Sequence, residues 1–175
     1  VMRRFLVVAA VALLFLLEPG FAFLSPLQLG DNVYYFVPRF VIVSLIFLAT
    51  FHSKKRAILI GLFFGVLYDV FYINIIGLYA FVYPFLAFLA GTIMRYIRPN
   101  MIVTSIVSLL LVTVMEVILY QFYHYIGFTT MPWASFIQHR LLPTMLTNTL
   151  FTILMAIVFV YLINKRWIRN EMDTV

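Results

Sequence analysis

The stretch AILIGLFFGVLYDVFYI, Ala57 to Ile73, decides how the rest of the chain is read. It is an apolar run long enough for a membrane helix, it follows the basic triplet Lys54, Lys55 and Arg56, and it carries an aspartate near its far end. Ala57, Gly61, Gly65 and Asp69 recur at steps of four, which lays small residues along one slowly drifting strip of a helix and ends the strip with the acid. Small residues let a second backbone come close, which matters in lipid, where helices have little hydrophobic reason to associate. Ala57, Gly61 and Gly65 are therefore expected to form a helix-approach groove. It is filled either by another helix of the same chain or, in the sharper reading, by a helix of a partner.

Working outward, the 175 residues are 65% hydrophobic and 10% charged, with a mean hydropathy of +1.09. A soluble domain is about 45–50% apolar and 25% charged, so the composition is that of a polytopic membrane protein. Six spans are predicted near 4–24, 36–51, 57–73, 76–95, 101–126 and 143–164, with short polar breaks between them that leave no room for a soluble domain. One membrane domain over residues 1–175 is expected. The opening MRRFLVVAAVALLFLLEPG has a basic flank and an apolar stretch like a signal peptide, but no small-x-small cleavage site follows that stretch before Glu18-Pro19, so it is expected to be a retained first helix. Pro38 suits the first turn of the second span, Pro84 should kink the fourth, and GFTTMPWASFIQHRLLP, 127–143, is expected to hold a short interfacial helix bent into the sixth span near Pro143.

Lysine and arginine give the orientation, because short cytoplasmic loops retain them during insertion. Arg3, Arg4, Lys54, Lys55, Arg56, Arg95, Arg98, Lys165, Arg166 and Arg169 collect on one side, while only Arg39 and Arg140 fall on the other. Six spans with both termini cytoplasmic fit that split. The net charge of +6 is then a topology signal and an attraction to anionic lipid rather than a nucleic-acid footprint.

Five charges are left without a topological reason: Glu18, Arg39, Asp69, Glu116 and Arg140. A charge in the apolar layer costs about 2.5 kcal/mol or more, so such residues face a partner, a cavity or the bundle interior. At 1.5 Å per residue Asp69 stands about 18 Å along its span and Glu116 about 22 Å along its own, and all five converge on the outer half of a roughly 30 Å core. A structural ion-pair cluster accounts for them first, since arginine's planar fork suits a carboxylate. Recognition of a partner helix or ligand, or an ion pathway, stands behind that. His52, His124 and His139 lie on opposite sides of the expected topology and give no metal site. No nucleophile with an orienting base occurs and no cysteine is present, so no catalytic residues, metal or cofactor are expected.

The combination of MRRFL at 2–6, VPRFVIVSLIFLATF at 37–51, GLFFGVLYDVFYINIIGLYAF at 61–81, the acid in VMEVILY at 114–120 and HRLLPTMLTN at 139–148 resembles the bacterial MreD family of rod-shape-determining membrane proteins. The family pattern falls on Arg39, Gly61, Gly65, Asp69, Gly77, Glu116, Arg140 and Pro143. The resemblance implies a non-enzymatic scaffold of the elongation (rod) complex in the bacterial plasma (inner) membrane. It implies work with an MreC-like bitopic partner, MreB filaments and peptidoglycan synthases, and leaves homo-oligomerisation open. It also implies an all-α integral membrane fold, a six-transmembrane-helix bundle similar to the substrate-binding subunits of energy-coupling-factor transporters. A vitamin-like small-molecule-binding subunit of such a transporter is the alternative function, with Asp69, Glu116 and the arginines lining an outer cavity.

Overall fold

The computed structural model describes residues 2–23 and 25–164. Its helices are α1 (Met2–Ala22), α2 (Phe40–Phe51), α3 (Lys54–Tyr68, prolonged by a π-helical turn Asp69–Ile73), α4 (Leu78–Tyr96), α5 (Met101–Tyr125), α6 (Trp133–Phe136) and α7 (Leu142–Asn164). A second π-helical turn, Ile137–Leu141, joins α6 to α7. Among the described residues four helical stretches are long and apolar enough to cross a membrane: Lys54–Ile73, Leu78–Tyr96, Met101–Tyr125 and Trp133–Tyr161. The apolar stretches Val7–Phe21 and Phe40–Phe51 are shorter. Lys165, Arg166, Arg169, Glu171, Asp173 and the side chains of Arg3 and Arg4 lie outside the described residues.

The expected second span takes an unexpected form. Every residue of α2 is buried, and α1, α3, α4, α5 and α7 all touch it. A helix that is hydrophobic all round belongs in a core, and its 12 residues reach about 18 Å, well short of a roughly 30 Å hydrocarbon layer. It begins at Phe40, so Pro38 stands in an irregular stretch ahead of the helix and not in its first turn. Around this centre the other helices turn Leu16, Phe63, Phe88, Leu110 and Leu150 outward. An apolar exterior over an apolar core is the pattern of a protein solvated by lipid.

Between α1 and α2 the chain forms an antiparallel hairpin that the helix pattern did not predict, β1 (Leu27–Leu29) and β2 (Asn32–Tyr34), with Leu27 opposite Tyr34 and Leu29 opposite Asn32. Gly30, at φ 63°, and Asp31 make its two-residue turn, where glycine tolerates the left-handed backbone. The expected interfacial helix is likewise different. Residues 133–161 run as one helical stretch, and Pro143 falls in the first turn of α7, just after the π-helical turn.

The groove of Ala57, Gly61 and Gly65 exists, and the chain's own α4 occupies it. A methyl group added at Gly61 would stand 3.3 Å from the backbone of Tyr83 and Pro84. One added at Gly65 would overlap the carbonyl oxygen of Tyr79 and lie 2.9 Å from Ala80 Cα. Buried Ala57 continues the same inward face. Docking of a partner helix in this groove is therefore corrected: the close approach is used up inside the molecule.

Gly65→Ala should force α3 and α4 apart and lower stability by about 1–3 kcal/mol, as overpacking does. Gly20→Ala, which meets nothing within 4 Å, should be neutral or slightly stabilising. Thermal midpoints in detergent compare the two, and equal midpoints would show that the α3–α4 contact yields freely.

Candidate functional site

The polar core forms where α2 begins. Residues 35–39 lie outside helix and strand before it, and irregular backbone in a membrane protein is tolerated only where protein satisfies its polar groups. Two buried side chains one turn apart on α7, Thr144 and Asn148, do this. Val37 N–H donates to Thr144 Oγ1 at 3.2 Å, and the Thr144 hydroxyl donates to the Tyr35 carbonyl at 3.3 Å. Asn148 Nδ2 donates to the Val37 carbonyl at 2.9 Å, and Arg39 N–H to Asn148 Oδ1 at 2.8 Å. Pro38 has no N–H to satisfy. Pro143 cannot donate to the His139 carbonyl one turn back, and that oxygen accepts Tyr35 N–H at 2.7 Å.

The irregular stretch delivers Arg39, only 2% exposed, into the bundle. Its Nε donates to Glu116 Oε1 at 2.6 Å and its Nη1 to the Tyr79 hydroxyl at 2.9 Å. The other Glu116 oxygen accepts from Arg140 Nε at 3.4 Å, so two guanidiniums share one carboxylate. Arg140 is the looser partner, with 32% of its side chain exposed. The expected cluster is real at Arg39, Glu116 and Arg140.

The other two acids do different work. Both oxygens of Asp69 accept backbone N–H groups at the start of α4: Oδ1 from Tyr79 at 2.8 Å, Oδ2 from Gly77 at 2.9 Å and Ala80 at 3.0 Å. The carboxylate thus satisfies the orphan donors of a helix N-terminus and meets the positive end of its dipole. Gly77, at φ 110°, and left-handed Asn74 turn the chain back to make this possible. Glu18 Oε2 accepts Val41 N–H at 3.1 Å at the start of α2. Its other oxygen is buried without a hydrogen bond among the described residues, although Arg39 and Tyr68 stand beside it. The pairing left open within the expected cluster is thus filled by one acid: Glu116 contacts both arginines.

The Gly65 and Asp69 features meet on Tyr79. Gly65 admits its backbone, Asp69 holds its N–H, and its ring stacks on Tyr68 at 4.3 Å, which leaves its hydroxyl facing Arg39. Thr144, Asn148 and Tyr79 were missed at the level of sequence. A threonine and an asparagine four apart in an apolar helix were the available signal for the first two.

Beside Arg140 opens a cavity of about 360 Å³ lined by Tyr35, Tyr120, Tyr123, Thr129, Phe136 and Arg140 among others. Of the five charges singled out, Arg140 alone is in its wall. Among the described residues no three histidine or acidic side chains could hold a metal ion.

The family model described as rod shape-determining protein MreD matches residues 2–166. The chain is similar to the rod shape-determining protein MreD of Bacillus subtilis (strain 168), with 29% identity over 174 residues, covering 97% of this chain and the whole of that relative. No solved structure matches it.

Glu116→Gln leaves Arg39 buried without its counter-charge and should cost about 3–5 kcal/mol. Arg140→Gln should cost about 1 kcal/mol or less, because that partner is partly exposed. Chemical denaturation in mixed micelles measures both; a larger loss for Arg140→Gln would reverse the assigned hierarchy.

Proposed function

Because the chain belongs to the MreD family of rod shape-determining proteins, we propose that it acts as a non-enzymatic, multi-pass scaffold of the elongation complex in the bacterial plasma membrane. Four long helices and the shorter apolar helices α1 and α2 are membrane-embedded as a single domain, with α2 buried at the centre and both termini cytoplasmic. The observation that carries a scaffold role is how the polar chemistry is spent. Glu116 holds two arginines, and Asp69 and Glu18 hold helix starts, so these groups fix helices against one another instead of facing a substrate. The transporter-like alternative calls for an outer cavity lined by Asp69, Glu116 and the arginines; Arg140 lines one, while Asp69 and Glu116 are engaged elsewhere.

With the small-residue groove closed by α4, an MreC-like partner helix is expected on the lipid-facing surface, where apolar side chains stand outward on several helices. Through that partner the scaffold would link cytoplasmic MreB filaments to peptidoglycan synthases outside.

Two measurements test this reading. The chain has no cysteine, so single replacements report sidedness cleanly. Gln28→Cys and Thr130→Cys should react with an impermeant maleimide added outside intact cells, and Lys55→Cys and Arg98→Cys only after permeabilisation. Labelling of residues 28 and 98 from the same side would rule out the six-helix arrangement. Photocrosslinkers at Leu16, Phe63, Phe88, Leu110 and Leu150 should capture an MreC-like protein in native membranes from at least one position. Capture from none would remove the partner role.

A further inference from the structure

The cavity beside Arg140 is not explained by holding the bundle together. Glu116 uses both its oxygens, one on Arg39 and one on Arg140 Nε, and it is fully buried outside the cavity wall. Arg140 commits only its Nε edge to that contact. Among the described residues its remaining guanidinium N–H groups have no hydrogen bond, and the side chain lines an open space. Tyr123 and Thr129 carry hydroxyls in the same wall, while Tyr120, Phe136 and Tyr35 add aromatic surface. The Tyr120 hydroxyl is already used on the Met131 carbonyl at 2.8 Å, which ties the 127–132 loop over one side.

The position of the cavity narrows what it takes. It lies between the end of α5 and the start of α6, and Phe128 in its wall and Trp133, packed on Tyr120 and Phe136, are exposed aromatics. Such a collar belongs at the boundary between hydrocarbon and headgroups. A half-exposed guanidinium with free donors, set among hydroxyls at that depth, matches the geometry of phosphate oxygens. About 360 Å³ lies within the range of small-ligand pockets and has room for a glycerophosphate group.

We propose that this cavity is a phosphate-binding site, in which Arg140 holds the phosphate of a lipid headgroup or of a soluble phosphate entering from the same face. The two sources share the chemistry of recognition and differ in whether an acyl chain must accompany the phosphate.

The test uses the full chain in nanodiscs of digalactosyl lipid, which contains no phosphate. Short-chain phosphatidylglycerol, its phosphate-free counterpart dioctanoylglycerol, and inorganic phosphate are titrated separately, and dissociation constants and thermal midpoints are read. Phosphatidylglycerol should bind and raise the midpoint, while dioctanoylglycerol should not. Equal binding of inorganic phosphate also supports the site and assigns the ligand to a solute; weak or no binding of it assigns the ligand to the lipid. Arg140→Gln should weaken phosphate binding about tenfold, as expected for loss of a charge-assisted hydrogen bond. Met131→Trp, which fills the cavity and leaves the Arg39–Glu116 pair in place, should weaken it at least as much and decides the matter if Arg140→Gln does not fold. Equal binding of the phosphate-bearing and phosphate-free lipids, binding of neither phosphate source, or undiminished binding in Met131→Trp would overturn the proposal.

Discussion

Every buried helix start needs acceptors for its unpaired N–H groups, and in lipid no water supplies them. That constraint organises this structure. α2 begins inside the bundle and not at its surface, and irregular backbone leads into it. Two acids from neighbouring helices, Glu18 and Asp69, bind N–H groups at the starts of α2 and α4. Thr144 and Asn148 satisfy the backbone that precedes α2. Arg39 can be inserted to Glu116 only because the chain on either side of it is held in this way.

The ion pair itself is weak support for stability, because desolvating two charges offsets much of their attraction. Its stronger effect is on arrangement. Arg39 reaches α5 through Glu116, α4 through Tyr79, and α7 through its own N–H to Asn148, so one residue ties three helices to the start of α2. A misplaced helix would leave a buried charge or amide without a partner. This suits a protein whose proposed task is to present a fixed surface to other membrane proteins.

Much of this was legible in the sequence. The apolar runs located the long helices, and the intramembrane charges marked the polar centre. The strip of Ala57, Gly61 and Gly65 foretold a close helix contact. Partnerships were not legible, for a physical reason. Asp69 and Glu18 bind backbone N–H groups, which every residue but proline possesses and which no letter of the sequence marks. The depth argument therefore grouped five charges and left their pairing open, with no signal for the backbone partners that two of them bind. The hairpin at Leu27–Tyr34 did have a signal, the Gly30-Asp31 turn between alternating residues, but the surrounding hydropathy masked it. The irregular stretch at 35–39 reads from Pro38 as a helix start, because the contacts that hold it come from α7, more than 100 residues away in the chain.

The pairing of that stretch with Thr144 and Asn148 has a mechanical consequence. The two side chains are spaced by one helical turn, about 5.4 Å along the axis, and mesh with alternate backbone groups of residues 35–39 like teeth on a rack. A displacement of α7 by a fraction of a turn would break these bonds together and form none in exchange. The helix is consequently indexed against the centre of the protein, held in discrete positions and unable to glide, so a pull on its end would be borne by the whole bundle.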